Sequence, residues 1–161
     1  MKKILFTAFA AAALVSCSDD DSTSTGAEAI AGKWKLTAIN SSQAVDGNGD
    51  GVATTNLMVE AGACFADSYL QFTGLTMVTN FLSLPLSQNS CYTASADGAY
   101  AVTGNNVTVS INFEGESDVT TYTRNDNKLT ATIPDFYEVE VTVNGVTTYQ
   151  SIDATLVYTE Q

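Results

Sequence analysis

The side chains best suited to chemistry are spaced two apart in residues 46–52, which read Asp-Gly-Asn-Gly-Asp-Gly-Val. Asp46, Asn48 and Asp50 offer carboxylate and amide oxygens, the ligands that hard divalent cations prefer. The glycines between them permit the tight turn that lets the three side chains converge. We therefore expect a cation-binding loop here, and the alternative is an Asx-rich surface loop without a metal.

The spacing resembles the first half of a calcium loop of the EF-hand type. In that resemblance Val52, at the seventh position, would offer its backbone carbonyl. The twelfth position is Leu57, where the family has a bidentate Glu, so a carboxylate from Glu60 or Asp67 would have to complete the shell. The resemblance implies weak calcium binding with a structural role, which would pin the long connection between the first two strands.

Other acidic residues give little reason to expect an enzyme. Glu114/Glu116 and Glu138/Glu140 form pairs, and glycoside hydrolysis needs two carboxylates ~5 to 9 Å apart. Strand alternation, however, places both pairs on the solvent face, where charges protect sheet edges. The chain contains no His, which excludes Ser-His and Cys-His nucleophiles and the usual acid–base group near neutral pH.

The N-terminus predicts export. Lys2 and Lys3 precede an apolar run over residues 4–15, which is shorter than the ~20 residues that span a bilayer. Residues 14–17, Leu-Val-Ser-Cys, resemble the lipobox of bacterial lipoproteins. That family is cut before the Cys, which is then acylated, so residues 1–16 would be a signal peptide and Cys17 the lipid anchor. The alternative is an ordinary signal peptide with a chance Cys.

Residues 18–21, Ser-Asp-Asp-Asp, resemble the surface-export signal of Bacteroidetes-type lipoproteins, although a plain solvated linker is the alternative. The small and polar residues up to 29 cannot bury enough apolar area to order themselves. We expect residues 17–29 to be a lipidated Cys followed by a flexible linker. The resemblance implies an outer-membrane protein, lipid-anchored and displayed at the cell surface.

The cysteines predict a disulfide, and the net charge excludes one class of partner. Cys64 and Cys91 form an even pair in an oxidising compartment and predict a disulfide, with two buried thiols as the alternative. Once the signal peptide is removed, four Lys and Arg remain against 18 Asp and Glu, a net side-chain charge of −14. Such a surface repels phosphate backbones, so we expect no nucleic-acid partner.

The folded part, residues 30–161, alternates apolar and polar positions between closely spaced turns, which predicts β-strands. Trp34, Leu36 and Ala38 share one face of the first strand, and the only Trp of the chain is expected to plug one end of a core. Residues 83–90 are interpreted as a loop because of Pro85. Turns are expected at residues 97–98 and at the hairpin dipeptide 144–145, and one strand is expected to end at residues 134–135 before the next begins.

Sequential antiparallel strands with one apolar face predict an all-β fold, an up-and-down barrel of about eight strands or alternatively a sandwich. Most aromatic residues lie on apolar faces and are expected in the core. Tyr122 lies among polar residues and is the aromatic expected to have an exposed role.

The order Gly-Lys-Trp-Lys-Leu, Asp-Gly-Asn-Gly-Asp-Gly, then a Cys before a strand resembles the lipocalin-like domains of Bacteroidetes lipoproteins. The resemblance implies an eight-stranded barrel that begins at Trp34. Two functions follow as hypotheses: a monomeric module that binds a small apolar or amphipathic ligand or a glycan, and an interaction module whose barrel is filled by its own side chains.

Overall fold

The computed structural model describes residues 26–48, 50–60, 63–87, 90–113, 115–143 and 146–161. These residues form nine strands and three short helical segments. The strands are β1 (Gly32–Val45), β2 (Thr54–Asn56), β3 (Tyr69–Thr73), β4 (Met77–Ser87), β5 (Ser90–Thr103), β6 (Asn106–Phe113), β7 (Glu116–Asn125), β8 (Lys128–Val143) and β9 (Val146–Glu160). The helical segments are the 3-10 turns Ala27–Ile30 and Cys64–Asp67 and the helix α1 (Leu57–Glu60).

The strands form one antiparallel sheet that closes on itself. Its order is β2-β1-β3-β4-β5-β6-β7-β8-β9, and β1 also pairs with β9. Closure therefore joins eight strands into a barrel, and β2 is an extra strand beside the second half of β1. The predicted up-and-down barrel is confirmed, and the sandwich alternative is wrong.

The two ends of the barrel differ. We call the end that holds Ile30, Trp34 and the C-terminus the closed end. Trp34 is fully buried there, and its indole N–H donates a hydrogen bond to the Ile30 carbonyl at 2.9 Å. Phe72 meets the Trp34 ring edge to face, and Tyr100 in turn meets Phe72. The open end is the opposite end, where the connection from residue 46 to residue 68 and the β4–β5, β6–β7 and β8–β9 hairpins lie.

A β-bulge corrects the predicted inner face of β1. Leu36 lies opposite Tyr158 of β9, but Ala38 lies opposite the very next residue, Val157. The extra residue, Thr37, turns the following side chains over. Ile39 is consequently the fully buried residue, and Ala38 is not among the buried ones. Alternation alone could not locate the bulge.

Two further predictions of loops were wrong because β4 and β5 form one long hairpin. Pro85 lies in β4 opposite Cys91, in residues expected to form a loop. A proline fits there because the pairing of β4 with β3 has already ended at Phe81, so no ladder hydrogen bond is lost on that side. Gly98 lies inside β5, where a Cβ atom would overlap the Ser110 carbonyl. Glycine thus permits a close approach of β6.

The expected break at residues 134–135 is also wrong. Strand β8 continues through it as a bulge, in which Ile133 lies opposite Ala154 and Tyr137 opposite Ile152. Asp135 takes a left-handed φ of 50°, and its amide donates to the Asp153 carboxylate at 3.1 Å. Beyond the bulge, β8 and β9 pair as far as Val143 and Val146. The expected turn at residues 144–145 lies outside the described residues.

Candidate functional site: a cavity at the open end

A cavity of about 240 Å³ lies inside the open end of the barrel. Strands β4 to β7 supply its walls through their inward side chains. The lining residues are Asn80, Leu82, Leu84, Tyr92, Ala94, Ser95, Ala96, Ile111, Phe113 and Asp118. Its volume is slightly below the roughly 300 Å³ at which drug-sized ligand pockets begin. It therefore suits a small molecule.

Small side chains on β5 leave this volume unfilled. Ala94 lies opposite Leu82, and Ala96 lies opposite Asn80, so the β4–β5 wall carries methyl groups where the closed end carries rings. At the rim, Tyr92 is 50 % exposed and Phe113 is 44 % exposed. These two rings provide an apolar border that a ligand would cross on entry.

Asn80 is the most informative polar residue of the cavity. It interrupts the apolar inward face of β4, between Val78 and Leu82, and its side-chain oxygen is buried without a hydrogen-bond partner. Because a buried acceptor without a partner is destabilising by about 1–3 kcal/mol, such groups ordinarily mark a missing donor. Sequence reasoning missed Asn80, although a lone amide on an apolar strand face was the available signal.

The core tyrosines, Tyr122 and Tyr158, lie nearer the closed end than the cavity does. Tyr122, which was expected to be exposed, is only 5 % exposed, and its ring packs edge to face on Tyr158 at 5.7 Å. The polar neighbours in the sequence are outward residues of the same strand, β7. Burial raises the pKa of Tyr158 to about 12. Burial, with smaller contributions from Tyr158 and Asp118, also raises the pKa of Tyr122 well above its usual range.

The residues of the expected calcium loop follow β1 at the open end, and their side chains accept backbone hydrogen bonds. Asp46 Oδ2 accepts from the Gly51 amide, Asn48 Oδ1 from the Asp50 amide, and Asp50 Oδ1 from the Val52 amide. Among the described residues, no three His, Cys, Asp or Glu side chains already form a metal-binding group.

The two acids considered for completing that loop lie in different surroundings. Glu60 is 5 % exposed, and its Oε2 accepts hydrogen bonds from the Gly47 amide at 2.9 Å and the Asn48 amide at 3.3 Å. Asp67 is exposed and instead lines a groove with Lys33 and Lys35. The structure thus brings Glu60, and not Asp67, into contact with the loop.

The acidic pairs provide no cleft of converging carboxylates among the described side chains. Glu116 and Glu138 are exposed, as expected. Glu114 and the side chain of Glu140 lie outside what the structure describes. A glycosidase-like arrangement therefore receives no support from these positions.

The disulfide is confirmed. Cys64, in the second 3-10 turn, is bonded to Cys91 at the start of β5. It ties the long connection between β1 and β3 to the hairpin that forms one wall of the cavity. The bond therefore braces the open end.

One comparison with known proteins agrees with this geometry. A family model described as a lipocalin-like domain matches residues 30–131. The chain belongs to this lipocalin-like family. Neither the curated proteins nor the solved structures gave a significant match. The lipocalin-like barrel suggests ligand binding in general and is compatible with a small hydrophobic ligand.

Among the described residues, no helix is long and apolar enough to cross a bilayer. The expected signal peptide, Cys17 and the expected linker as far as residue 25 lie outside the described residues.

Proposed function

We propose that this chain is a lipid-anchored binding protein whose barrel takes one small apolar or amphipathic ligand into the open-end cavity. The observation that carries the proposal is the mainly apolar cavity, whose lining includes Asn80, a residue with a buried side-chain oxygen that has no hydrogen-bond partner. An apolar cavity with a few placed polar groups is the usual form of a small-molecule site. A ligand that brings one N–H or O–H donor would satisfy Asn80 while its apolar body fills the remaining space.

Electrostatics favour a neutral or cationic ligand over an anionic one. Asp118 lines the cavity, and the chain carries no Lys or Arg between residues 36 and 123. A carboxylate or sulfonate would therefore enter against a negative potential. A glycan fits less well than an apolar ligand because most of the lining is aliphatic or aromatic.

We also propose attachment to the outer membrane through Cys17, with display at the cell surface. Support comes from the lipobox and the acidic residues 18–21. The chain enters the barrel beside Ile30, at the closed end, so a tether there would hold the closed end toward the membrane. The cavity would face outward, away from the anchor. We expect the domain to be a monomer.

Fluorescent probes test the ligand proposal. N-phenyl-1-naphthylamine is neutral, apolar and carries one N–H donor, and 1-anilinonaphthalene-8-sulfonate has a closely related skeleton with a negative charge. We expect the neutral probe to bind one per chain and the sulfonate to bind about tenfold more weakly or not at all. Ala94→Leu, which fills the cavity, should abolish binding. Ala101→Leu, on the outer face of the same strand, is the matched control and should bind normally.

An Asn80→Leu variant tests the hydrogen bond. It should weaken the neutral probe by about tenfold and leave N-methyl-N-phenyl-1-naphthylamine, which lacks the donor, unaffected or bound more tightly. Absence of probe binding to the unaltered domain would reject the ligand proposal. It would favour the interaction module with a filled barrel instead.

The anchor proposal has its own test. Cells that express the full chain should incorporate labelled palmitate into the protein, and Cys17→Ala should remove the label. Added protease should degrade the protein on intact cells if it is displayed at the surface. Label that persists in Cys17→Ala would exclude the anchor, and protection from protease would exclude surface display.

A further inference from the structure

The carboxylate of Glu60 contains the second buried side-chain oxygen of the described chain that lacks a hydrogen-bond partner. Its Oε2 accepts two amide hydrogen bonds from the loop, but its Oε1 is buried and accepts none. Removing a carboxylate from water is strongly destabilising unless it is paired or fully hydrogen-bonded. A positive charge close to Glu60 would compensate.

No protein side chain of the barrel domain provides that charge nearby. Its four cations are Lys33 and Lys35 in β1, Arg124 at the end of β7 and Lys128 at the start of β8. All of them lie in the closed half of the barrel, since β1 begins there and the β7–β8 turn lies there. Glu60 and the loop lie at the opposite end. A compensating cation would therefore have to come from solution.

We propose that Asp46, Asn48, Asp50 and Glu60 together bind one Ca²⁺. The side-chain oxygens of Asp46, Asn48 and Asp50 form one side of the site, and the carboxylate of Glu60 supplies the ligand that the twelfth position of the loop cannot. That position is Leu57, which begins α1 and is buried in the core. Glu60 lies one helical turn later on the same face of α1. Glu60, three positions after Leu57, thus takes the place of the Glu that EF-hand loops have at the twelfth position.

The hydrogen bonds of the loop are compatible with this proposal. Asp46 Oδ2 accepts from the Gly51 amide, and Asp50 accepts from the Val52 amide on Oδ1 and from the Asn48 side-chain amide on Oδ2 at 3.2 Å. A carboxylate oxygen has two lone pairs, so it can bind a cation beside such a hydrogen bond. Because the three acids do not already form a metal-binding group, binding draws Asp46 and Asp50 toward Glu60. Calcium tolerates such irregular and flexible oxygen shells better than magnesium does. The site should therefore select calcium.

Isothermal titration calorimetry, with Ca²⁺ added to the chelator-treated domain, tests the site. We expect one Ca²⁺ per chain with a Kd of about 10⁻⁴ to 10⁻³ M, the range of extracellular modules. Mg²⁺ at equal concentration should bind at least about tenfold more weakly. The melting temperature should rise with added Ca²⁺, since the ion binds the folded state only.

Two variants separate Glu60 from the other acids. Glu60→Gln, which keeps the size of the side chain, should weaken Ca²⁺ about tenfold or more. Asp67→Asn, the matched change in the other candidate acid, should bind Ca²⁺ normally. If Glu60→Gln fails to fold, Asp50→Asn on the exposed part of the loop must show the loss instead. Unaltered domain that binds no Ca²⁺, or a Glu60→Gln variant that binds it normally, would overturn the proposal. These outcomes do not depend on whether the cavity holds a ligand.

Discussion

The closed and open ends of the barrel are built from the same strands and differ in what their inward side chains fill. At the closed end, Trp34, Phe72 and Tyr158 are buried almost completely and touch other rings. At the open end, Ala94 and Ala96 leave a cavity between strands that continue without interruption. Because the buried rings of the closed end supply most of the core packing, the open end can keep an unfilled volume, with the Cys64–Cys91 disulfide bracing it.

Charge divides the molecule in the same way. The four cations of the domain lie toward the closed end, and one of them, Lys33, places its ammonium 3.9 Å from the centre of the Tyr69 ring. The open end combines the loop acids with Asp118 and has no basic side chain among its described residues. Under the two proposals, an apolar ligand and Ca²⁺ would both bind at the open end.

Trp34→Ala should have the largest effect on stability. It removes the largest buried side chain and the hydrogen bond to Ile30, so we expect a loss of about 3–5 kcal/mol in the free energy of unfolding. Urea denaturation followed by circular dichroism measures it. Tyr92→Ala at the rim is the matched control, with an expected loss of about 1 kcal/mol or less. Equal losses at the two positions would contradict the division between the ends.

Removal of the disulfide should have the next largest effect. The bond joins residues 27 apart in sequence, so its loss should lower the free energy of unfolding by ~3 kcal/mol in the chain-entropy model. The variant is Cys64→Ser/Cys91→Ser. Hydrogen exchange should quicken chiefly in residues 57–67 and in the β4–β5 hairpin. If protection were instead lost first around Trp34, the disulfide would not be a brace of the open end.

Alkaline pH should weaken the closed end. The pKa of Tyr158 is about 12 in the folded state and near 10 in an unfolded chain, so the folded state holds its proton more tightly. The contribution of this pKa difference to the free energy of unfolding is therefore fully present below pH 10. It is lost as the pH rises from about 10 to 12, by up to ~2–3 kcal/mol. Urea midpoints at pH 9 and pH 11.5 measure the loss. Tyr158→Phe should reduce this pH dependence. An unchanged pH dependence in that variant would mean that another group causes it.

The sequence predicted the fold well because its strongest signals are local. Alternation located most of the strands, and the burial of Trp34 and the Cys64–Cys91 bond were both expected and are confirmed. The errors arose where a partner strand decides the outcome. Pro85 stays in β4 because β3 has ended beside it, and Gly98 marks a close approach of β6, not a turn.

The candidate site was less predictable because a cavity is a property of several strands at once. No local pattern shows that Ala94 faces Leu82 across an empty space, or that Tyr122 is turned inward against Tyr158. The loop at residues 46–52 was visible in the sequence as a motif. Only the structure shows that Glu60, and not Asp67, contacts it.

The smallest expected loss is that of Leu82→Ala at the open end, and Leu70→Ala at the closed end is its reference. Leu70→Ala in the packed core should lower the free energy of unfolding by about 2–5 kcal/mol, because it leaves a sealed void. Leu82→Ala should cost about 1 kcal/mol or less, because Leu82 already borders an open cavity and its loss only enlarges that space. Urea denaturation of both variants gives the difference. Similar losses would mean that the cavity closes in solution and that the open end is packed as tightly as the closed end.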